Sequence, residues 1–363
     1  MLISDLDTPA LVIDMDVMER NLTRVSDYAR EHQLRLRPHT KTHKIPALAR
    51  KQLHLGAAGL TVAKVGEAEV MLDAEPDDIL VAFPVIGPAK LQRLMTVAEL
   101  TRITVALDSK EALAELSEAA SQFGRSIGVL IEMDVGLGRV GLEPGPAILE
   151  FARAIEACPC VTFEGLTFYP GHIRHMDHGA TTALQAVSEL VNGAVQLLET
   201  NGFEVRVVSG GSTPTLFHSH EVTRLNEIRP GTYIFNDRNT KDLGACSLED
   251  CAATIMATVV STTVRDQIII DGGSKTFSSD RAASGEASFG LVLDAPDAHF
   301  AKMNEEHGFI DIRGAGRSFK VGERVHVLPN HVCVAMNLHE QVYGIRGNQV
   351  EQVWRVDARG KLQ

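Results

Sequence analysis

Eight short β-like segments, most of them separated by helical stretches, constrain this chain more than anything else in it. Apolar runs bounded by Gly, Pro, Asn or Asp place strands at 34–41, 59–65, 78–85, 103–108, 126–134, 161–169, 205–210 and 227–235. Helical periodicity falls at 16–32, before the first strand, and at 90–100, 110–123, 146–157 and 181–201 between later ones. Eight alternations fit a TIM-type (β/α)8 barrel better than an open doubly wound sheet. The polar and glycine-rich residues follow the strands, at Lys41, 134–139, 169–175, 210–213 and 233–237. That is the face on which barrels of this kind carry their sites.

From about residue 250 the texture changes. Short strands at 254–262, 267–271, 308–313, 324–329, 341–346 and 350–356 are punctuated by Gly, Asn and Asp, and Gly347-Asn348 reads as a tight hairpin turn. The expected fold class is therefore α/β: a barrel over 16–245, followed by a C-terminal all-β domain over 246–363. Residues 1–15, extended over 8–14, are expected to join that second domain. A 363-residue chain has room for both.

Composition excludes several partners. The net charge is −12 with no long basic run, which argues against nucleic acid. No apolar run approaches a membrane span. The first seven residues have neither a basic nor an apolar leader region. Five cysteines, at 158, 160, 246, 251 and 333, make no disulfide framework and suit a reducing compartment, so a cytoplasmic location is expected.

The segment Arg37-Pro38-His39-Thr40-Lys41-Thr42-His43-Lys44 continues an apolar/basic alternation. On a strand, Arg37, His39, Lys41 and His43 share one face. Cationic neighbours would lower the pKa of Lys41 and make it a better amine nucleophile, as an aldehyde-binding lysine requires. On these residues alone, a solvated basic strand end accounts for the pattern equally well.

Gly136-Leu137-Gly138-Arg139-Val140-Gly141 matches G-x-G-x-x-G, but four residues separate it from the helix at Pro146, whereas a dinucleotide loop opens its helix directly. A glycine turn that delivers Arg139 to the barrel mouth, towards an anionic ligand oxygen, is the preferred reading. Ser209-Gly210-Gly211-Ser212-Thr213 follows a strand and precedes a helical stretch; free N–H groups there suit phosphate, and an ordinary strand-to-helix turn is the plain alternative. His331 and Cys333 lie two apart on a strand-like segment and could chelate one ion, with imidazole plus thiolate favouring zinc. A half-buried cysteine beside a histidine is the plain alternative. Cys158-Pro159-Cys160 reads as structural, and Glu305-Glu306-His307-Gly308 as a capping group or a partner behind a metal ligand, with an ordinary surface segment as the plain alternative.

In this order the segments resemble the D-threonine aldolase and D-serine dehydratase family of fold-type III pyridoxal-phosphate enzymes, whose barrel is related to that of alanine racemase. The resemblance covers nearly the whole chain. It is carried by Asp7-Thr8-Pro9-Ala10-Leu11, by Arg37-Pro38-His39-x-Lys41-x-His43-Lys44, and by 134–141. Tyr169-Pro170-Gly171-His172, Arg229-Pro230-Gly231-Thr232-Tyr233, Asp271-Gly272-Gly273-Ser274-Lys275 and Pro329-Asn330-His331-Val332-Cys333 complete it. The resemblance implies that Lys41 holds the cofactor aldehyde, with His39, Arg139 and Tyr169 near the cofactor. It also implies Ser209, Gly210, Gly211, Ser212, Thr213 and Tyr233 around the phosphate.

His331 and Cys333 would carry a divalent metal, with zinc expected and manganese or magnesium as alternatives. A homodimer and a small D-3-hydroxy amino acid substrate follow from the same likeness. His175, or else His172, becomes the candidate base; the family often has Gln-His where this chain has Arg174-His175. The leading expectation is a retro-aldol lyase giving glycine and an aldehyde. The alternative is a D-serine or 3-hydroxy-D-aspartate dehydratase, which the Cys333 thiolate favours. A racemase and a non-catalytic cofactor carrier fit less well.

Overall fold

Eight parallel strands form one sheet in the computed structural model, which describes residues 1–175 and 178–363. They are Arg35–Leu36, Leu60–Val62, Asp78–Val81, Arg102–Leu107, Ile127–Met133, Val161–Phe168, Val207–Gly210 and Glu227–Ile228. Each lies inside an expected segment or within one residue of its start. The sheet runs in chain order from Leu60–Val62 to Glu227–Ile228, with Arg35–Leu36 beside the last. A parallel bridge between His39 and Thr61 joins the two ends of the series, with the Thr61 N–H on the Pro38 carbonyl at 2.9 Å, so the sheet curls into a TIM-like barrel.

Helices Pro46–His54, Val65–Met71, Pro88–Val97, Lys110–Phe123, Pro146–Ala157 and His178–Thr200 connect the strands. Their ends are written in the sequence. Pro88 and Pro146 open their helices after Gly87 and Gly145. Ser109 Oγ accepts the Ala112 N–H at the start of Lys110–Phe123, and Gly124 ends that helix at φ +62°.

Inside the barrel, Leu80, Leu130 and Val207 come from alternate strands and pack as one apolar layer. Towards the strand N-termini the interior is ionic. Arg37 is 4% exposed; its Nε donates to Glu227 at 2.9 Å, and its Nη1 and Nη2 donate to Asp78 at 2.8 and 3.2 Å. Arg102 and Arg206 reach Glu164 at 2.8 and 3.1 Å. Arg37→Met leaves Asp78 and Glu227 buried without that cation, and should cost about 3–5 kcal/mol, read as a lower urea midpoint. An unchanged midpoint would mean that water, not Arg37, satisfies the carboxylates.

By its internal contacts the chain divides into two units. The barrel unit comprises Arg24–Lys41, Pro46–Gly231 and Gly360–Gln363; the other comprises Met1–Thr23, Thr42–Ile45 and Thr232–Arg359. The second unit is built on a nine-stranded sheet. The strands Ala253–Ser261, Gln267–Ile270, Gly308–Asp311, Arg324–Pro329, Gln341–Arg346 and Gln349–Arg355 fall where the sequence points.

Two further strands, Gly290–Val292 and His299–Met303, have no counterpart in the sequence pattern. The first is too short to show a period, and the second exposes Ala301 and Lys302 in succession, which blurs alternation. Ala10–Asp14 is nearly buried and lies between Ala253–Ser261, which it pairs antiparallel, and Gln341–Arg346, which it pairs parallel. Leu6, Ala10, Val12 and Met256 make an apolar cluster there. Among the described residues no helix is long and apolar enough to cross a membrane.

Candidate active site

The backbone ladder at the first barrel strand extends past its named end. Arg35, Arg37 and His39 donate their N–H groups to Asn226, Ile228 and Pro230 in turn, at 2.8–2.9 Å. Arg37 and His39 therefore do share a face, but the pattern stops at the 3-10 turn Thr40–Thr42. Lys41 and His43 are on that turn and just beyond it, not on a strand. The turn forms because Thr40 Oγ1 is drawn to the Thr61 carbonyl at 3.2 Å, and the Lys41 N–H turns back onto His39 Nδ1 at 3.4 Å.

The cationic crowd expected around Lys41 is also reduced. Arg37 is neutralised by two carboxylates. His39 accepts at Nδ1 from Lys41, and His43 accepts at Nδ1 from the Ile45 N–H at 3.1 Å, which an imidazolium cannot do. Lys41 is exposed, whereas Lys44 is buried with its Nζ on the Ala358 carbonyl at 3.3 Å.

The loop after Ile127–Met133 is organised by Asp134. Its Oδ1 accepts the N–H groups of Gly136, Leu137 and Gly138 at 3.0–3.1 Å. Burial opposes ionisation of Asp134, but these N–H groups and nearby His172 hold it below the usual carboxylate range. The following helix starts at Pro146, so the glycines form a turn and not a dinucleotide loop. Arg139 is exposed on that turn with its guanidinium 4.8 Å from the centre of the Tyr169 ring. The His172 ring packs against Gly136; His172 and His175 are both exposed.

Gly210 ends the seventh strand because a Cβ there would lie 2.4 Å from the Phe168 ring, and Gly211 comes next at φ +89°. Ser209 faces the barrel interior, and its hydroxyl donates to Glu227 at 2.8 Å. The Ser212 hydroxyl is shared with Thr215 at 3.0 Å, while Thr213 is half-buried. The chain then enters the 3-10 stretch Leu216–Glu221 and not an α-helix, so the helix-dipole argument for phosphate falls away. An anion is left with the concavity of amides that a left-handed glycine makes.

Arg229 belongs to the site too, although the sequence reading gives it no role there. It lies two residues beyond Glu227, on the same inward face. Its Nη2 donates to Thr167 Oγ1 at 2.8 Å and to the Phe168 carbonyl at 3.0 Å. Its Nε is buried with no partner among the described residues. Burial pushes the guanidinium below its usual range, against Glu132 and Glu227, which favour the charge. Burial likewise pushes Glu132 up. An orphaned buried N–H on a barrel arginine fits a bound group with an acceptor.

The second unit holds the remaining candidates. Tyr233 is buried in the 3-10 turn Thr232–Ile234, since the eighth strand ends at Ile228 and not near 235. His331 and Cys333 are not on a strand either: His331 is the N-cap of the helix Val332–Leu338, and Cys333 is its second residue. Asp237 starts this helix from a distance, accepting the Val332 N–H at 3.0 Å, while it also caps Arg238–Asp242 through Thr240. Burial pushes the Asp237 carboxyl up.

The helix start still brings the two side chains close enough for each to shift the other's ionisation. The ring's Nδ1 is held by Asp280 Oδ2 at 2.8 Å. The neighbouring Cys333 leads in pushing His331 up to about 10, and Asp237 and Asp280 add to it. Burial opposes ionisation of Cys333, yet the neighbouring His331 holds it below the usual thiol range. An imidazole oriented by a carboxylate, with a thiolate beside it, suits a borderline divalent metal. Among the described residues no group of three His, Cys, Asp or Glu side chains converges, so other ligands to such an ion would come from water or substrate.

Comparison with known proteins adds a family. Residues 13–239 match the alanine racemase N-terminal domain, and residues 252–345 match a putative serine dehydratase domain. A 3-hydroxy-D-aspartate aldolase of Paracoccus denitrificans is 32% identical over 99% of this chain and 93% of its own length. The crystal structure of D-threonine aldolase from Filomicrobium marinum superposes with a TM-score of 0.94 at 31% identity, covering 100% of this chain and 99% of that one. D-threo-3-hydroxyaspartate dehydratase from Delftia sp. HT23 superposes at 0.88 with 29% identity and 98% of each chain covered. Solved structures of a D-threo-3-hydroxyaspartate dehydratase include a cysteine-to-alanine mutant in the metal-free form. They also include a histidine-to-alanine mutant two positions earlier in the chain.

Proposed function

This chain belongs to the alanine racemase N-terminal domain family, and we propose that it is a pyridoxal-phosphate- and metal-dependent lyase of D-3-hydroxy amino acids. The reaction we assign is that of a D-threonine aldolase, giving glycine and an aldehyde. The observation that carries the metal half is the His331–Cys333 pair with Asp280 on the imidazole. Barrel residues fit the cofactor half. Lys41 is the exposed amine for its aldehyde, the turn at Gly210 to Thr213 suits its phosphate, and the orphaned Arg229 Nε suits a ring acceptor. When bound, pyridoxal phosphate would supply an electron sink for the bond broken at Cα, and a metal on His331 and Cys333 would supply a Lewis acid for the 3-hydroxyl.

The chain's own groups move the protons. Lys41 carries one on Nζ, and His175, or else His172, takes the one from the substrate hydroxyl on its imidazole. His175→Ala should lower turnover by about 10²-fold while cofactor absorbance stays at the parent level. Equal loss of both would mark a folding or binding defect and remove His175 from the role. Assembly as a homodimer belongs to the same reading.

A second reading has its own support. The sulfur of Cys333, which favours a dehydratase, and the matching His-x-Cys spacing in a solved D-threo-3-hydroxyaspartate dehydratase support elimination of the hydroxyl, giving a 2-oxo acid and ammonia. Product analysis on D-threonine, with pyridoxal phosphate and either zinc or manganese, separates the two. Glycine with acetaldehyde establishes the aldolase; 2-oxobutanoate with ammonia establishes the dehydratase. Neither pair of products, on D-threonine or on 3-hydroxy-D-aspartate, overturns the lyase reading.

A further inference from the structure

Cys333 does not stand with His331 alone. Its Sγ lies 3.2 Å from Thr42 Oγ1 and 3.8 Å from Thr232 Oγ1. Thr42 is fully buried, and Thr232 is half-buried at the start of its 3-10 turn. Thr42 is also held firmly. Two residues on, the Lys44 carbonyl accepts the Ala358 N–H at 3.1 Å, and Lys44 Nζ donates to the Ala358 carbonyl at 3.3 Å. A reciprocal clasp of this kind fixes the segment Thr42–Ile45, and so fixes where the Thr42 hydroxyl points.

A thiolate has no proton to give. Once Cys333 is ionised, the only hydrogen that can lie between sulfur and either threonine oxygen is the threonine's own. In the structure Cys333 Sγ donates to Thr42 Oγ1; a cysteine that ligates a metal gives up that proton, so the threonine hydroxyls become the donors, and donors on a thiolate draw charge out of the lone pairs that would otherwise bind metal. Hydrogen bonding around a ligand sulfur tunes the metal it holds, and partners of this kind also orient the ligand.

We infer that Thr42, with Thr232 as a weaker partner, is a positioning residue for metal: its hydroxyl orients the Cys333 thiolate and sets its donor strength towards a borderline divalent ion. The inference rests on the reading of His331 and Cys333 as the metal pair, and it adds to that reading a residue outside any ligand set. Thr42 follows Lys41 directly in the chain, so one short turn carries both the cofactor amine and the hydroxyl that steadies the thiolate.

The test uses the full-length chain loaded with cobalt(II) alone, whose sulfur-to-metal charge-transfer band reports on the thiolate. Thr42→Val removes the donor at nearly constant shape. It should weaken cobalt and zinc binding by about 10-fold or more, because the loss of orientation outweighs the stronger sulfur donor, and move the band to longer wavelength, because the sulfur lone pairs rise in energy. Thr42→Ser should restore both. Thr232→Val should shift the band the same way by less, and it decides the matter if Thr42→Val does not fold.

An unshifted band with unchanged affinity in Thr42→Val overturns the inference. So does an equal loss in the Val and Ser variants with the band in place, because packing alone would then explain it. A parent protein that binds no cobalt and shows no band overturns the metal reading itself, and the inference with it.

Discussion

Lys41→Ala should erase the long-wavelength absorption of the cofactor-loaded protein and lower turnover by about 10²–10⁴-fold from lost proton transfer alone. Covalent capture of an aldehyde needs an amine that is reachable, and the geometry around Lys41 supplies that. Its side chain is exposed at the turn Thr40–Thr42, while His39 Nδ1 holds its backbone N–H. Lys44 is buried against Ala358, and Lys64 sits over the Phe83 ring with its Nζ 3.6 Å from the centre. Lys41→Arg should behave like the alanine variant, because a guanidinium remains protonated and cannot attack the aldehyde. A visible band surviving in either variant would remove Lys41 from its role.

Cys333→Ala and His331→Ala should each strip most of the bound metal and lower activity by about 10²–10³-fold, as expected when several kcal/mol of Lewis-acid stabilisation is lost. Cofactor absorbance should remain near the parent level in both. Asp280→Asn should give a milder deficit, because Asp280 holds the His331 ring through Nδ1 and its amide would still offer an oxygen there. Metal content measured alongside activity decides the point. Full activity in a variant shown to be metal-free would end the Lewis-acid account for this chain.

Much of the fold is legible in the sequence alone. Each barrel strand is a short apolar run, and the helices between them carry their own stop and start residues, such as Pro88, Ser109, Gly124 and Pro146. The failures have one cause. Where the chain leaves a strand at the candidate site it turns sharply, at Thr40–Thr42 and Thr232–Ile234, and apolar alternation says nothing about where pleating stops. His331 and Cys333 do meet, but at the start of a helix and not across a strand face.

Their helix begins where it does because Asp237, far away in sequence, caps it. The partners that give the site its chemistry are equally remote. Glu227 faces Arg37 and Ser209, Asp280 faces His331, and Thr42 faces Cys333. No local pattern could have paired them. Arg229 could have been found: it is two residues beyond an acid that starts a barrel strand, so parity alone turns it inward.

The strand Ala10–Asp14 imposes an order on synthesis. It leaves the ribosome well before both of its neighbours, Ala253–Ser261 on one side and Gln341–Arg346 on the other. At about 5–20 residues per second, the nascent chain carries this apolar strand unpaired for on the order of tens of seconds. The contacts among Pro46–Gly231 can all form in that interval. Cotranslational chaperone capture of the nascent chain should therefore be strongest at Ala10–Asp14.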